Sequence, residues 1–236
     1  MDQNTYLTGI RRGLPVGVGY FSVAFGFGAM AAAEGVRALD AALISIANFT
    51  SAGQFAGLTL IIAGAGLWEI ILTQIVINSR YALMSLALSQ RMGPEVGLLP
   101  RLFISFFNTD EIFALAMAEP GRLSPAFMAG LGLTSLLGWT GGTLCGALAG
   151  SVLPLAVRTA LGVMLYGMFI AIVVPPARKE KPVLAVVFLA LVLSCLLAWV
   201  PALREISPGI AIVLCTVVAA GLGAWLFPVP DEEVAA

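Results

Sequence analysis

Eight apolar stretches follow one another along the chain, at residues 13–33, 41–64, 68–88, 102–118, 126–150, 155–175, 182–200 and 207–227. Most are close to the ~20 residues a helix needs to cross a hydrocarbon core. The runs are continuous, whereas the strands of a membrane barrel alternate over about ten residues, so they predict helices. Charge collects in the short connections, at Glu34, Arg37 and Asp40, at Arg91, Glu95 and Arg101, and from Arg178 to Lys181. The pattern predicts an all-α, polytopic membrane helix bundle of seven or eight segments in a single membrane domain, 1–236. The stretch 102–118 has only 17 residues with Asp110-Glu111 at its centre, and reads as a short tilted helix or a re-entrant hairpin. If it crosses, Arg11, Arg12, Arg122, Arg178, Lys179 and Lys181 share the side of the N-terminus, six basic residues against five. If it does not, the 178–181 cluster moves to the other side, against the preference of basic loops for the cytoplasm. Eight crossings are expected on that count.

Composition narrows the function. The 236 residues are 60% hydrophobic and 11% charged, against roughly 45–50% and 25% in globular domains. No length remains for a soluble catalytic or nucleotide-binding domain. A net charge of −1 argues against a nucleic-acid surface. The chain has no histidine, which excludes a Ser-His nucleophile and any imidazole-bound metal. Cys145, Cys195 and Cys215 fall inside apolar stretches and read as small packing residues. No metal or cofactor is expected, and no enzyme activity. Met1–Arg12 is polar, and no small-residue cleavage site follows it, so a cleaved signal peptide is not expected.

Polar side chains in mid-span are costly, ~2.5–3.5 kcal/mol for a charged one, and need a reason. Every asparagine and glutamine lies before residue 109, so 13–118 reads as the polar, substrate-bearing half and 126–227 as mainly scaffold. Asn48, Asn78 and Asn108 sit near the middle of three consecutive stretches. On a regular helix Asn48, Ser51 and Gln54 share an arc of about 120°, beside Ala52-Gly53, where small residues permit close backbone approach. Gln74, Asn78, Tyr81 and Ser85 share a face about 60° wide, with Arg80 roughly 160° from Asn78. An arginine at that depth needs a partner or a wet cavity. Asp110 and Glu111 supply candidates: one acid to pair with Arg80, the other to exchange a proton during transport. Asn108, at i, i+3 from Glu111, would favour Glu111 for the proton and Asp110 for the pair. Helix–helix hydrogen bonding is the plainer alternative for the amides, and a purely structural ion pair for Arg80.

Gly130, Thr134, Gly138, Gly142, Gly146 and Gly150 recur at strict i+4, a ladder of small residues that predicts a helix pressed against a neighbour in this chain or another. Val36-Arg37-Ala38-Leu39 and Val157-Arg158-Thr159-Ala160 stand 121 residues apart, too short a match to define an internal repeat.

The segments Phe49-Thr50-Ser51-Ala52-Gly53-Gln54-Phe55, Asn78-Ser79-Arg80-Tyr81-Ala82-Leu83 and Thr109-Asp110-Glu111-Ile112-Phe113-Ala114-Leu115 resemble, in order and spacing, the AzlC family of large subunits of bacterial branched-chain amino-acid exporters. The likeness runs from about Gly13 to Ala118. It implies a multi-pass protein of the bacterial inner membrane, a small AzlD-type membrane subunit as partner, and export of amino acids. On this reading the chain is a secondary transporter of hydrophobic amino acids driven by the proton gradient. Arg80 would meet the substrate carboxylate and Asp110 or Glu111 its ammonium, with Asn48, Ser51, Gln54 and Asn78 as hydrogen-bonding lining. The competing readings are a passive or differently coupled permease for another small neutral solute, and a scaffolding subunit of another transporter.

Overall fold

The computed structural model describes residues 5–150, 156, 170, 173–203 and 205–228. The expected stretch at 155–175, with Arg158, lies largely outside them. Among the described residues all regular structure is helical: α1 (Tyr6–Ala33), α2 (Ala38–Ala47), α3 (Ser51–Ile62), α4 (Leu67–Arg91), α5 (Leu98–Phe106), α6 (Asp110–Ala118), α7 (Pro125–Gly150), α8 (Lys181–Trp199) and α9 (Pro208–Leu226), with residues 173–179 also helical and a 3₁₀ turn at Pro201–Leu203. Four of these, α1, α4, α8 and α9, are long and apolar enough to cross a membrane. Two compact units result, one of residues 1–55 and 78–165, the other of 56–77 and 166–236.

The spine of the first unit is the pair α1 and α7. Gly130 lies on the backbone of Tyr6, Gly138 on Gly17, Gly142 on Phe21, Gly146 on Phe25 and Gly150 on Ala29, so the numbers rise together and the helices run parallel. The ladder's neighbour is therefore in this chain. α1 answers with its own small positions: Gly9 meets Phe127, Gly13 meets Leu131, and Gly28 meets Thr143. A Cβ at most of these glycines would fall on backbone atoms of the opposite helix. The strict i+4 series Gly9, Gly13, Gly17 was present in the sequence as the matching half of the pattern.

Two stretches that read from the sequence as single spans are each two short helices. In 41–64 the helix stops at Ala47, residues 48–50 are unwound, and α3 starts at Ser51. In 102–118 the break is 107–109, between α5 and α6. Both turn back on themselves. Arg101, at the start of α5, donates to the backbone carbonyls of Ser89, Gly93 and Val96. The end of α6 returns to the same place, where Arg91 donates to the carbonyls of Met117, Glu119 (2.6 Å) and Gly121 (2.7 Å), and Leu123 donates its N–H to the Arg91 carbonyl. Between these two anchors the break reaches Ser85 and Arg80 of α4. At 1.5 Å per residue that tip lies about 9–16 Å along α4 from Arg91, roughly half of a ~30 Å hydrocarbon core. Of the two sequence alternatives for this stretch, the geometry within the unit is that of an out-and-back hairpin.

The first hairpin enters from the other end. Five residues after α1 ends, α2 begins. Ser45 meets Thr143 of α7 through a 2.6 Å hydroxyl contact, and Phe49 packs on Tyr20 and Trp139. By Phe55 the chain is beside Phe27, back toward the C-terminal end of α1. The elements thus form two triplets, a long helix followed by a hairpin, starting at Tyr6, Ala38 and Ser51 and again at Leu67, Leu98 and Asp110, about 60 residues apart. The two hairpins enter from opposite ends, the signature of an inverted repeat. The second copy of the 121-residue match lies outside the described residues.

The hairpins also change the placing of charge. Arg12 pairs with buried Glu119 (3.1 Å), and Arg122 lies 4.0 Å from Glu95. Arg12, Arg91, Arg101 and Arg122 thus share one end of the unit, whereas the sequence count put Arg91 and Arg101 opposite Arg12. Arg91 is the staple of the second hairpin. Arg91→Leu should lower the thermal midpoint in detergent by the equivalent of about 1–3 kcal/mol, because three carbonyls lose a charged donor. Arg122→Ala, at a residue whose 4.0 Å contact with Glu95 is exposed on both sides, should shift it by about 0–1 kcal/mol.

In the second unit Gly57 of α3 lies on the Gln74 side chain, and α8 packs on α9, with Gly223 against Val186. Half-buried Glu69 accepts the Gly209 N–H on its Oε1 at 2.9 Å, a carboxylate at the positive end of α9. The cysteines are free thiols, with Cys145 and Cys195 exposed rather than packed inside.

Candidate functional site

The two hairpin tips and the middles of α1, α4 and α7 enclose a small cleft lined by Tyr20, Phe49, Ser51, Tyr81, Thr109, Asp110, Glu111 and Trp139. Its local construction follows from the breaks. Thr109 is extended, at φ −115° and ψ 170°, and caps α6 by accepting the Ile112 N–H on its hydroxyl. That fixes Asp110 and Glu111 in the first turn, where the helix dipole favours carboxylates. Thr50 immediately precedes α3, and its hydroxyl donates to Asn48 Oδ1 at 2.7 Å.

Arg80 reaches Asp110, Nη2 to Oδ2 at 2.8 Å, and its guanidinium lies over the Tyr81 ring at 5.0 Å from the centroid. Both partners are partly open, at 45% and 36% side-chain exposure. Glu111 takes a different partner. Its Oε2 accepts the buried Tyr20 hydroxyl at 2.5 Å, and Tyr20 also shares a 2.6 Å bond with Thr109 Oγ1. Glu111 itself remains exposed along the rest of its side chain. Tyr20, Phe49 and Trp139 stack edge to face on one another, with centroids 5.2–6.2 Å apart.

The remaining sequence candidates surround the cleft. Ser51 lines it. Gln54 is fully buried behind it, and its Oε1 accepts the Trp139 indole N–H at 2.9 Å. Asn78 lies against Gly53, where a Cβ would come within 2.9 Å of the amide. Asn108 does not face Glu111. Its amide donates to Ser85 Oγ at 3.0 Å and toward the Tyr81 carbonyl. The i, i+3 relation assumed a continuous helix, and residues 107–109 are unwound. For the same reason Asn48 leaves the arc drawn with Ser51 and Gln54. Sequence reasoning missed Tyr20 and Trp139. Each is an aromatic with a polar tip in mid-stretch, and a buried tip of that kind needs a partner. That signal was available.

Comparison with known proteins follows the same segments. The family model described as AzlC protein matches residues 15–153. The inner membrane protein YgaZ of Escherichia coli K12 is 31% identical over 185 residues, 75% of this chain and 75% of that protein. An uncharacterized membrane protein of Archaeoglobus fulgidus is 35% identical over 176 residues, 70% of this chain and 74% of its own. One from Helicobacter pylori J99 is 28% identical over 137 residues, covering 57% and 59%. No solved structure matches.

Proposed function

The chain belongs to the AzlC family, and from that premise we propose that it is a secondary transporter exporting branched-chain or other hydrophobic amino acids, in exchange for protons, across a bacterial inner membrane. The observation that carries the reading is the meeting of two oppositely directed hairpin tips around Arg80, Asp110 and Glu111. Transporters build substrate sites at such breaks, where irregular backbone near the midplane can line a cavity. A zwitterion needs both signs of charge there, and the cleft offers both.

The proposed topology has α1, α4 and α7 crossing, with 38–62 and 98–118 entering halfway from opposite faces. Of eight membrane segments, two are then re-entrant. The arginine-rich end formed by Arg12, Arg91, Arg101 and Arg122 is cytoplasmic on the positive-inside preference, which places the N-terminus inside. The transporter works with a small AzlD-type membrane subunit on this reading.

A strain lacking the gene, fed dipeptides of Leu, Ile, Val or Met, should accumulate the free amino acid several-fold over the parent. Intracellular amino acids measured by mass spectrometry check this, with complementation by the chain alone and with the small subunit. Equal pools in both strains for all four amino acids would remove the reading.

A further inference from the structure

The cleft holds more negative than positive charge. Asp110 is committed to Arg80. Glu111 has no cation within ion-pair distance among the described residues. The groups that face it are Tyr20 from α1, Arg80 and Tyr81 from α4, and Asp110 from its own helix. The first hairpin contributes Phe49 and Ser51, and α7 contributes Trp139, none of them ionisable at ordinary pH. One carboxylate is therefore left over, beside aromatic rings whose faces attract cations. The enclosed space is about 10 Å³, room for roughly one water-sized group and far less than a pocket for a whole ligand. It suits one end of a molecule. The exposed flank of Glu111 leaves that end a way in.

We propose that Glu111 is a shared seat for two mutually exclusive cations, the α-ammonium of the substrate and a proton. This deepens the transporter reading and rests on it. A protonated Glu111 carries no charge to hold an ammonium, and an ammonium seated among Tyr20, Phe49, Tyr81 and Trp139 occupies the carboxylate that a proton needs. Binding one amino acid releases one proton, and reloading the proton expels the amino acid. Exchange then follows from competition at one group, with Asp110–Arg80 holding the neighbouring charges fixed. Tyr20, through its hydrogen bond to Oε2, positions the carboxylate in both states.

The test uses the full-length protein in nanodiscs, titrated by calorimetry at mildly acidic pH in buffers of different ionisation enthalpy, which counts protons released. The probes are L-leucine, isoamylamine (the ammonium without the carboxylate) and isocaproate (the carboxylate without the ammonium). Leucine and isoamylamine should compete and each release protons, with a release that grows as the pH is lowered through the acidic range, while isocaproate should not displace isoamylamine. Glu111→Gln should abolish the release and weaken isoamylamine about tenfold or more, and Glu111→Asp should keep the release. Leucine binding by the wild-type protein without proton release overturns the proposal alone, as does release that survives in Glu111→Gln. Absence of leucine binding to the wild-type protein overturns the amino-acid reading and the proposal with it.

Discussion

Arg80→Gln is expected to lower leucine counterflow in proteoliposomes by at least about 100-fold, the equivalent of roughly 2.7 kcal/mol, while the protein still inserts and elutes as a single species. The two halves of this expectation have different causes. The pair with Asp110 is only half covered, and replacing Arg80 also removes the cost of holding a guanidinium at that depth, which offsets the loss of the pair. Stability therefore changes little. Transport changes greatly, because the guanidinium is the one cation the cleft's lining residues touch among the described residues, and the substrate carboxylate on the proposed reading has no other counter-charge. Glutamine also leaves Asp110 as a second unpaired acid beside Glu111. Arg80→Lys should fall between, since an ammonium keeps the charge but not the planar fork or the stacking on Tyr81. Asp110→Asn should impair transport in the same direction, by leaving Arg80 without its partner. Wild-type counterflow in Arg80→Gln would sink the role assigned to this residue.

Gly142→Leu and Gly146→Leu should prevent recovery of a monodisperse protein. A Cβ at Gly142 would overlap the carbonyl of Phe21, and one at Gly146 the carbonyl of Phe25. These are backbone atoms that no rotamer change relieves. The two helices are in contact from Tyr6 to Ala29 along one face and from Gly130 to Gly150 along the other, so they cannot separate at one rung without parting at its neighbours. Overpacking typically costs about 1–3 kcal/mol and more where the neighbours cannot move. Gly142→Ala alone should therefore lower the thermal midpoint measurably. Gly141 supplies the control on the same helix. A Cβ there would be 3.9 Å from the Phe21 ring, an ordinary contact, so Gly141→Ala should be tolerated. Size-exclusion profiles and thermal unfolding of the four variants check the contrast, and equal behaviour of Gly141→Ala and Gly142→Ala would count against the parallel packing. The same displacement would carry Tyr20 and Trp139 out of the cleft, since each is held by the helix it stands on.

Several properties of this protein are settled by the order of its residues alone. Continuous apolar runs cannot satisfy backbone groups in lipid except as helices, so the all-helical membrane character follows directly from hydropathy. A four-residue recurrence of glycine and threonine can only be a face of small residues, so close packing of 126–150 was legible without knowing its neighbour. The cost of charge in an apolar stretch marks Arg80, Asp110 and Glu111 as residues that need partners. Direction was not legible. An apolar stretch of 20 residues has the same hydropathy whether it crosses or turns back halfway, and the unwound residues 48–50 and 107–109 differ from helix only in what their backbone and side chains bond to. Thr109 bonds Tyr20, 89 residues earlier, and Gln54 bonds Trp139, 85 residues later. Those contacts hold the tips in place, and they arise only once α1, α4 and α7 are packed. The break at 107–109 in turn withdraws Asn108 from Glu111 and gives it to Ser85. Hydropathy records what each residue prefers to touch; which residues it touches at the turning points is fixed by packing between segments distant in the chain.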